Sequence, residues 1–144
     1  MGGPQENTHV RDLAHSIKPV LAFAPAAKAA TANGLDVDLS GYEAAVFHLV
    51  VGTVTDGTHT PKMQEADDNG SGAPGTYADV AAASQIGSFT ALTTGAGNGG
   101  SAVQEVGYIG AKRWVRLVMT VSGATTGAVY GAEVVLGRAR SEPA

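Results

Sequence analysis

The chain has 144 residues, no cysteine, and a formal net charge of −4 from 9 Lys and Arg against 13 Asp and Glu. At this length a single domain buries roughly 70% of the surface its unfolded chain would expose, and the missing thiols exclude disulfides and thiolate metal sites. The acidic balance argues against a sequence-independent grip on nucleic acid, which needs a stripe of Lys and Arg; only Lys112, Arg113 and Arg116 cluster, and such a trio is most simply a solvated face.

Charged residues make up 15% of the chain, against roughly 25% in an average soluble domain. The surface must therefore be covered largely by Ala, Ser, Thr and Gly, which suits a protein packed against others. Twenty glycines fall in clusters between apolar runs, a pattern of many turns and short strands. No run approaches the ~18 apolar residues of a membrane-spanning helix, so no membrane partner is expected. The stretch VLAFAPAAKAA is broken by Pro25 and Lys28 and lacks signal-peptide form, so synthesis in the cytoplasm of the producing cell is expected.

Residues 1–27 hold Pro4, Pro19 and Pro25 and show no clean alternation. They are expected to form an arm that orders on a partner, with a short helical turn around Asp12 to Ile17 ended by Pro19; an edge strand is the plainer alternative. Residues 28–144 are expected to form the folded domain. Asn33-Gly34 suits a tight hairpin turn, and Leu35, Val37 and Leu39 alternate with Asp36, Asp38 and Ser40. In YEAAVFHLVVG, Ala45, Phe47, Leu49 and Val51 share one side and Ala44, Val46, His48 and Val50 the other. Both sides are mostly apolar, as in a central strand or one with a partner on its outer face.

A turn at Asp56-Gly57 leads to a strand near His59, where Pro61 is tolerated at an edge or a strand start. QEADDNGSGAPGTYADV reads as two strands with an extended acidic tip, and TTGAGNGGS as a flexible loop. In KRWVRLVMTV, Val115, Leu117, Met119 and Val121 oppose Trp114, Arg116, Val118 and Thr120. SGATTG is expected to close a hairpin into AVYGAEVVLG, where Tyr130, Ala132, Val134 and Leu136 oppose Val129, Gly131, Glu133 and Val135. Seven or eight strands with no convincing long helix describe an all-β fold: an antiparallel β-sandwich, jelly-roll-like or Ig-like, or a small barrel.

Chemistry is sparse. No Ser, His and Asp share a local catalytic frame, and His9, His15, His48 and His59 lack the close spacing that offers two imidazoles to zinc. His48, between Phe47 and Leu49, is most simply a half-buried strand residue. Glu65, Asp67 and Asn69 alternate and Gly70 follows, as in a calcium loop, but Thr76 stands where the closing carboxylate would be. No catalytic residue, metal or cofactor is expected, and the acidic segment is read as a solvated hairpin tip.

The order of motifs is nevertheless informative. VDLSGYEAAVFHLVVGTVTDGTHTPKMQEADD, YADVAAASQIGSF and VGYIGAKRWVRLVMTVSGATTGAVYGAEVVLGRAR, together spanning about Val37 to Arg140, resemble the small head proteins of tailed bacteriophages, the capsid decoration (cement) and minor capsid proteins. In relatives of that kind the acidic hairpin is a compact Glu-Ser-Asp-Asp-Gly turn followed by a tryptophan. Here Ala66 stands for the serine, SGAPG lengthens the tip, and Tyr77 takes the aromatic place.

The resemblance implies a virion structural protein that binds the outside of an assembled capsid, with the major capsid protein as its partner and a homotrimer as its working form. On that reading the arm supplies the contacts, through Val10, Leu13, Ile17, Val20, Leu21 and Phe23, with Arg11 and Lys18 facing acidic patches. A head–tail connector or tail structural protein is the alternative within the virion. A carbohydrate- or cation-binding module using Asp67 and Asp68 is the alternative outside it.

Overall fold

The computed structural model describes residues 11–94 and 102–139. Ten strands run through them: β1 (Ile17–Lys28), β2 (Ala32–Asn33), β3 (Val37–Asp38), β4 (Tyr42–Val54), β5 (Thr58–Ala66), β6 (Ala78–Asp79), β7 (Gln85–Ile86), β8 (Ala102–Tyr108), β9 (Trp114–Ser122) and β10 (Ala128–Ala139). One sheet has the order β1-β10-β4-β8-β7; the other has β2-β9-β5-β6, with β3 also paired to β9. All pairings are antiparallel. The two sheets pack face to face as a β-sandwich, and a single 3-10 turn at Ala82–Ser84 is the helical content of the described residues.

The period-2 pattern sorts the side chains as expected. Phe47, Leu49 and Val51 from β4, Tyr130, Ala132, Val134 and Leu136 from β10, and Val115, Leu117 and Met119 from β9 fill the space between the sheets. Leu35 stays exposed, so its short alternating run buries only Val37 and Leu39. His59 lies fully buried among these residues. Its Nε2–H donates to the Asp56 carbonyl at 3.0 Å and its Nδ1 accepts the Tyr130 hydroxyl at 3.2 Å, so both ring nitrogens are satisfied.

The connections differ from expectation. SGATTG does not close a hairpin: β9 lies in one sheet and β10 in the other, so the segment crosses between them. The Asp56-Gly57 turn likewise carries the chain from β4 in the first sheet to β5 in the second. Asp56 clasps the two crossovers together, its carboxylate accepting the backbone N–H groups of Thr125, Thr126 and Gly127. Those donors hold its carboxyl below the usual aspartate range, Gly127 and Thr126 contributing most. Gly127 sits at φ 88° with its α-carbon so close to the Lys28 carbonyl that no side chain fits.

Asn33-Gly34 is not a hairpin turn either. β2 and β3 lie along the same strand, β9, and Gly34 is where the backbone threads between neighbours: an added Cβ would stand 2.5 Å from the Ala22 carbonyl oxygen and 2.7 Å from that of Leu117. Glycine is needed there for close approach, not for a turn.

The largest correction concerns the arm. Residues 17–27, expected to order only on a partner, are most of β1, the edge strand of the first sheet, paired with β10 from Ile17↔Gly137 to Lys28↔Ala128. Register shifts on either side of Phe23 turn both Ala22 and Phe23 inward. They also erase the alternation that would have marked the strand. Pro19 and Pro25 are accommodated because an edge strand leaves one row of its N–H positions unpaired. Ahead of β1, a single turn closed by Ser16 N–H to the Leu13 carbonyl stands where a short helical turn was expected, but Pro19 lies within the strand and does not end that turn. Residues 1–10 fall outside the described residues.

Candidate functional site

The residues singled out for contact separate once placed. Phe23 is a core residue: its ring packs against Tyr130 with centroids 5.8 Å apart, and Lys28 Nζ sits 4.7 Å from its centre. It is buried by the bulge and unavailable to a partner. Val20 is half-buried against the core and Ile17 half-buried near the start of β1. Arg11, Leu13, Lys18 and Leu21 are exposed. Val10 lies outside the described residues.

Leu21 belongs to a larger feature. On the outer face of the first sheet, the registers place side chains in transverse rows. Val103 of β8 stands beside Val50 of β4 and Gly131 of β10. The next row is Glu105, His48, Glu133 and Leu21. The row after it is Ile86, Gly107, Val46, Val135 and Pro19. Leu21, Val50, Val103 and Val129 are 50%, 51%, 63% and 45% exposed, and Pro25 lies directly over Gly131, where an added Cβ would meet it at 2.8 Å. Two shallow depressions result, an apolar one lined by Leu21, Pro25, Val50, Val103 and Val129, and a mixed one in which Val46, Ile86 and Ile109 share the lining with Glu43, Glu105 and Arg138. Between them runs the charged row. His48 Nδ1 is 3.1 Å from a Glu133 carboxylate oxygen, and its Nε2 is 3.7 Å from one of Glu105.

The outer face of the second sheet is built differently. Lys62 Nζ meets Asp79 at 3.0 Å, Gln64 Nε2 donates to Asp79 at 2.8 Å, and Arg116 Nε donates to the Gln64 side-chain oxygen at 2.9 Å. Tyr77 lies over the Arg116 guanidinium at 4.0 Å and donates its hydroxyl to Asp36 at 2.8 Å. Burial, then that carboxylate, push the Tyr77 phenol above the usual tyrosine range.

The acidic tip is tied into this network. β5 and β6 pair as expected and the tip between them is closed by Asn69 N–H to the Ala73 carbonyl and Gly75 N–H to the Asp67 carbonyl. Its carboxylates are engaged: Asp67 by Lys112 at 2.8 Å, and Asp68 by Trp114 Nε1–H at 3.1 Å and Arg113 at 3.3 Å. Arg113 also forks onto Asp38 at 2.9 and 3.0 Å, which holds the Asp38 carboxyl at about 2. Lys112 and Arg113, expected on a solvated face, are thus the counterions of the tip. Glu65 accepts the Tyr108 hydroxyl at 2.7 Å, and burial, reinforced by that carboxylate, pushes the Tyr108 phenol up. The oxygens offered to the cation-module reading are spent on protein donors, and among the described residues no cluster of three or more His, Asp or Glu side chains is placed to hold a metal.

His48 is half-buried in β4, as expected. Its flanking glutamates carry no signal of their own in the sequence. Both stand at outward positions of their strands, a signal that becomes readable only when the register is known.

Compared with protein-family models, with curated proteins and with solved structures, the chain matches none.

Proposed function

We propose that this chain is a non-enzymatic structural protein of a tailed-phage virion that binds the outside of the assembled capsid and stabilises it. The observation that supports this reading is the outer face of the first sheet, where Leu21, Val50, Val103 and Val129 stand exposed together. A contiguous apolar patch on a soluble domain marks a surface that another molecule covers. The motif resemblance supplies the kind of molecule. Its two most specific pieces, TDGTHTPKMQEADD and VGYIGAKRWVRLVMTVSGATTG, contribute β5 and β9, which pair side by side from Thr58↔Ser122 to Ala66↔Trp114.

The mechanism is mass action. A protein that binds the assembled lattice and not free subunits stabilises the lattice, and a stiff sandwich loses little freedom on docking. Three copies joined around a symmetry axis make weak contacts act together. On this reading the sheet face, and not an arm of 27 residues, carries the contacts, and Arg11, Leu13 and Lys18 remain exposed ahead of and within β1.

The test is to mix the purified protein with undecorated heads assembled from a tailed-phage major capsid protein. The protein is expected to co-sediment with the heads and to raise the temperature at which they rupture. Heads that sediment without it and rupture at an unchanged temperature reject the proposal.

A further inference from the structure

The apolar face of the first sheet is crossed by one charged row, and the chemistry of that row constrains what covers it. A neutral imidazole has one N–H to give. Donated from Nδ1 to Glu133 across 3.1 Å, it leaves the Nε2 lone pair facing the Glu105 carboxylate at 3.7 Å. Protonation of His48 supplies a second donor, yet two carboxylates still stand against one cation. The row is negative in either state. Among the described residues no lysine or arginine forms an ion pair with Glu105 or Glu133.

From this we infer that the outer face of the first sheet is a docking surface for a protein partner that presents aliphatic side chains around a lysine or arginine, the cation seating between Glu105 and Glu133. The aliphatic groups fill the depressions on either side, one around Val50 and Val103, the other around Val46 and Ile86. A cation set among apolar groups gives register as well as attraction, because a carboxylate brought to the same place is repelled.

The other occupants fit the charge less well. A second copy docked face to face across a two-fold axis brings four carboxylates together. Residues 1–10, MGGPQENTHV, carry Glu6 and no lysine or arginine. Arg138 of β10 lines the second depression beside Glu105 and Ile86, yet among the described residues it forms no ion pair with Glu105 or Glu133.

This inference deepens the proposed function and rests on it for the choice of heads as one probe. Val50→Asp/Val103→Asp and Glu105→Lys/Glu133→Lys variants, checked for the wild-type β signal and melting point, are titrated against undecorated heads. A second probe is independent of heads: immobilised Val- and Leu-rich peptides differing at one central position, which is lysine, norleucine or glutamate. The wild type is expected to prefer the lysine peptide over the glutamate peptide by at least about tenfold, the Glu105→Lys/Glu133→Lys variant to reverse that order, and both variants to lose head binding.

Three outcomes overturn the inference. If the wild type binds heads and both variants bind as tightly, the face is not the contact, while the capsid reading survives. If the wild type forms a concentration-dependent dimer in the ultracentrifuge that Val50→Asp/Val103→Asp abolishes, a second copy covers the face. If deleting residues 1–10 speeds amide exchange across Val46–Val50, the chain's own N-terminal segment covers it. Should heads fail to bind while the peptide preference holds and reverses, the docking chemistry stands and the capsid reading falls.

Discussion

The two outer faces of this sandwich are made from the same alternating strand pattern and have opposite characters. On the second sheet, Lys62, Asp79, Gln64, Arg116, Tyr77 and Asp36 form one chain of contacts, and the acidic tip is fastened over Trp114 by Asp68 and Arg113. On the first sheet, the outward positions carry Val, Ile, Leu, Pro and Gly around a single Glu-His-Glu row. The networked face is finished: its polar groups already have partners within the chain. Apart from its Glu-His-Glu row, the other face leaves exposed aliphatic side chains, and under the proposed function stability belongs to one side of the molecule and recognition to the other.

The sharpest way to break that comparison is to remove a side chain from the networked face. Trp114 is 9% exposed and donates its indole N–H to Asp68. Trp114→Ala is expected to cost about 3 kcal/mol or more, from lost burial and a tip released from its anchor. Denaturant unfolding followed by far-UV circular dichroism measures it. A cost below about 1 kcal/mol would mean that the tip and its anchor add little to the fold.

A smaller effect comes from the same network through pH. Arg113 holds the folded-state Asp38 carboxyl at about 2, against an ordinary 3.8. A lowered folded-state pKa contributes stability that is fully present above the unfolded value and is lost as pH falls through the folded one. The stability difference between wild type and Asp38→Asn is therefore expected to be constant from neutrality to about pH 4 and to close between about pH 4 and 2. Both partners are partly exposed, so screening keeps this effect well below that of Trp114→Ala. Acid titrations of the two proteins at fixed low denaturant check it. A difference that stays constant down to pH 2 would place the origin of Asp38's contribution elsewhere.

The faces were legible from the sequence because side-chain alternation is local. Leu49 and Val50 are neighbours that point to opposite sides of β4, and the period sorts them without knowledge of any other strand. Connectivity was not legible. Asp56-Gly57 and SGATTG have the composition of hairpin turns, and a tight turn between strands of one sheet resembles a tight crossover between two. Only the Asp56 clasp, made across about seventy positions of chain, distinguishes them. β1 was hidden for a related reason: its prolines and bulges are the devices by which an edge strand resists further pairing, and they are also the features that remove the strand signal. The tip's carboxylates suggested a site because their counterions, Lys112 and Arg113, lie about 45 positions away.

The smallest expected effect is the one that tests the apolar face most directly. Val50 and Val103 pair across β4 and β8 and are more than half exposed, so replacing each by serine removes little burial in the free protein. Val50→Ser/Val103→Ser is expected to change stability by less than about 0.5 kcal/mol per substitution, read by scanning calorimetry. Strands favour valine over serine through packing on neighbours, which sets the direction of any residual change as a slight loss. In the same samples an apolar dye is expected to bind less well than to wild type, because the depression that would hold it has lost its walls. If the double variant instead loses as much stability as Trp114→Ala, those valines are already covered in the isolated chain. The two faces would then both be internally finished, and recognition would have to lie elsewhere on the molecule.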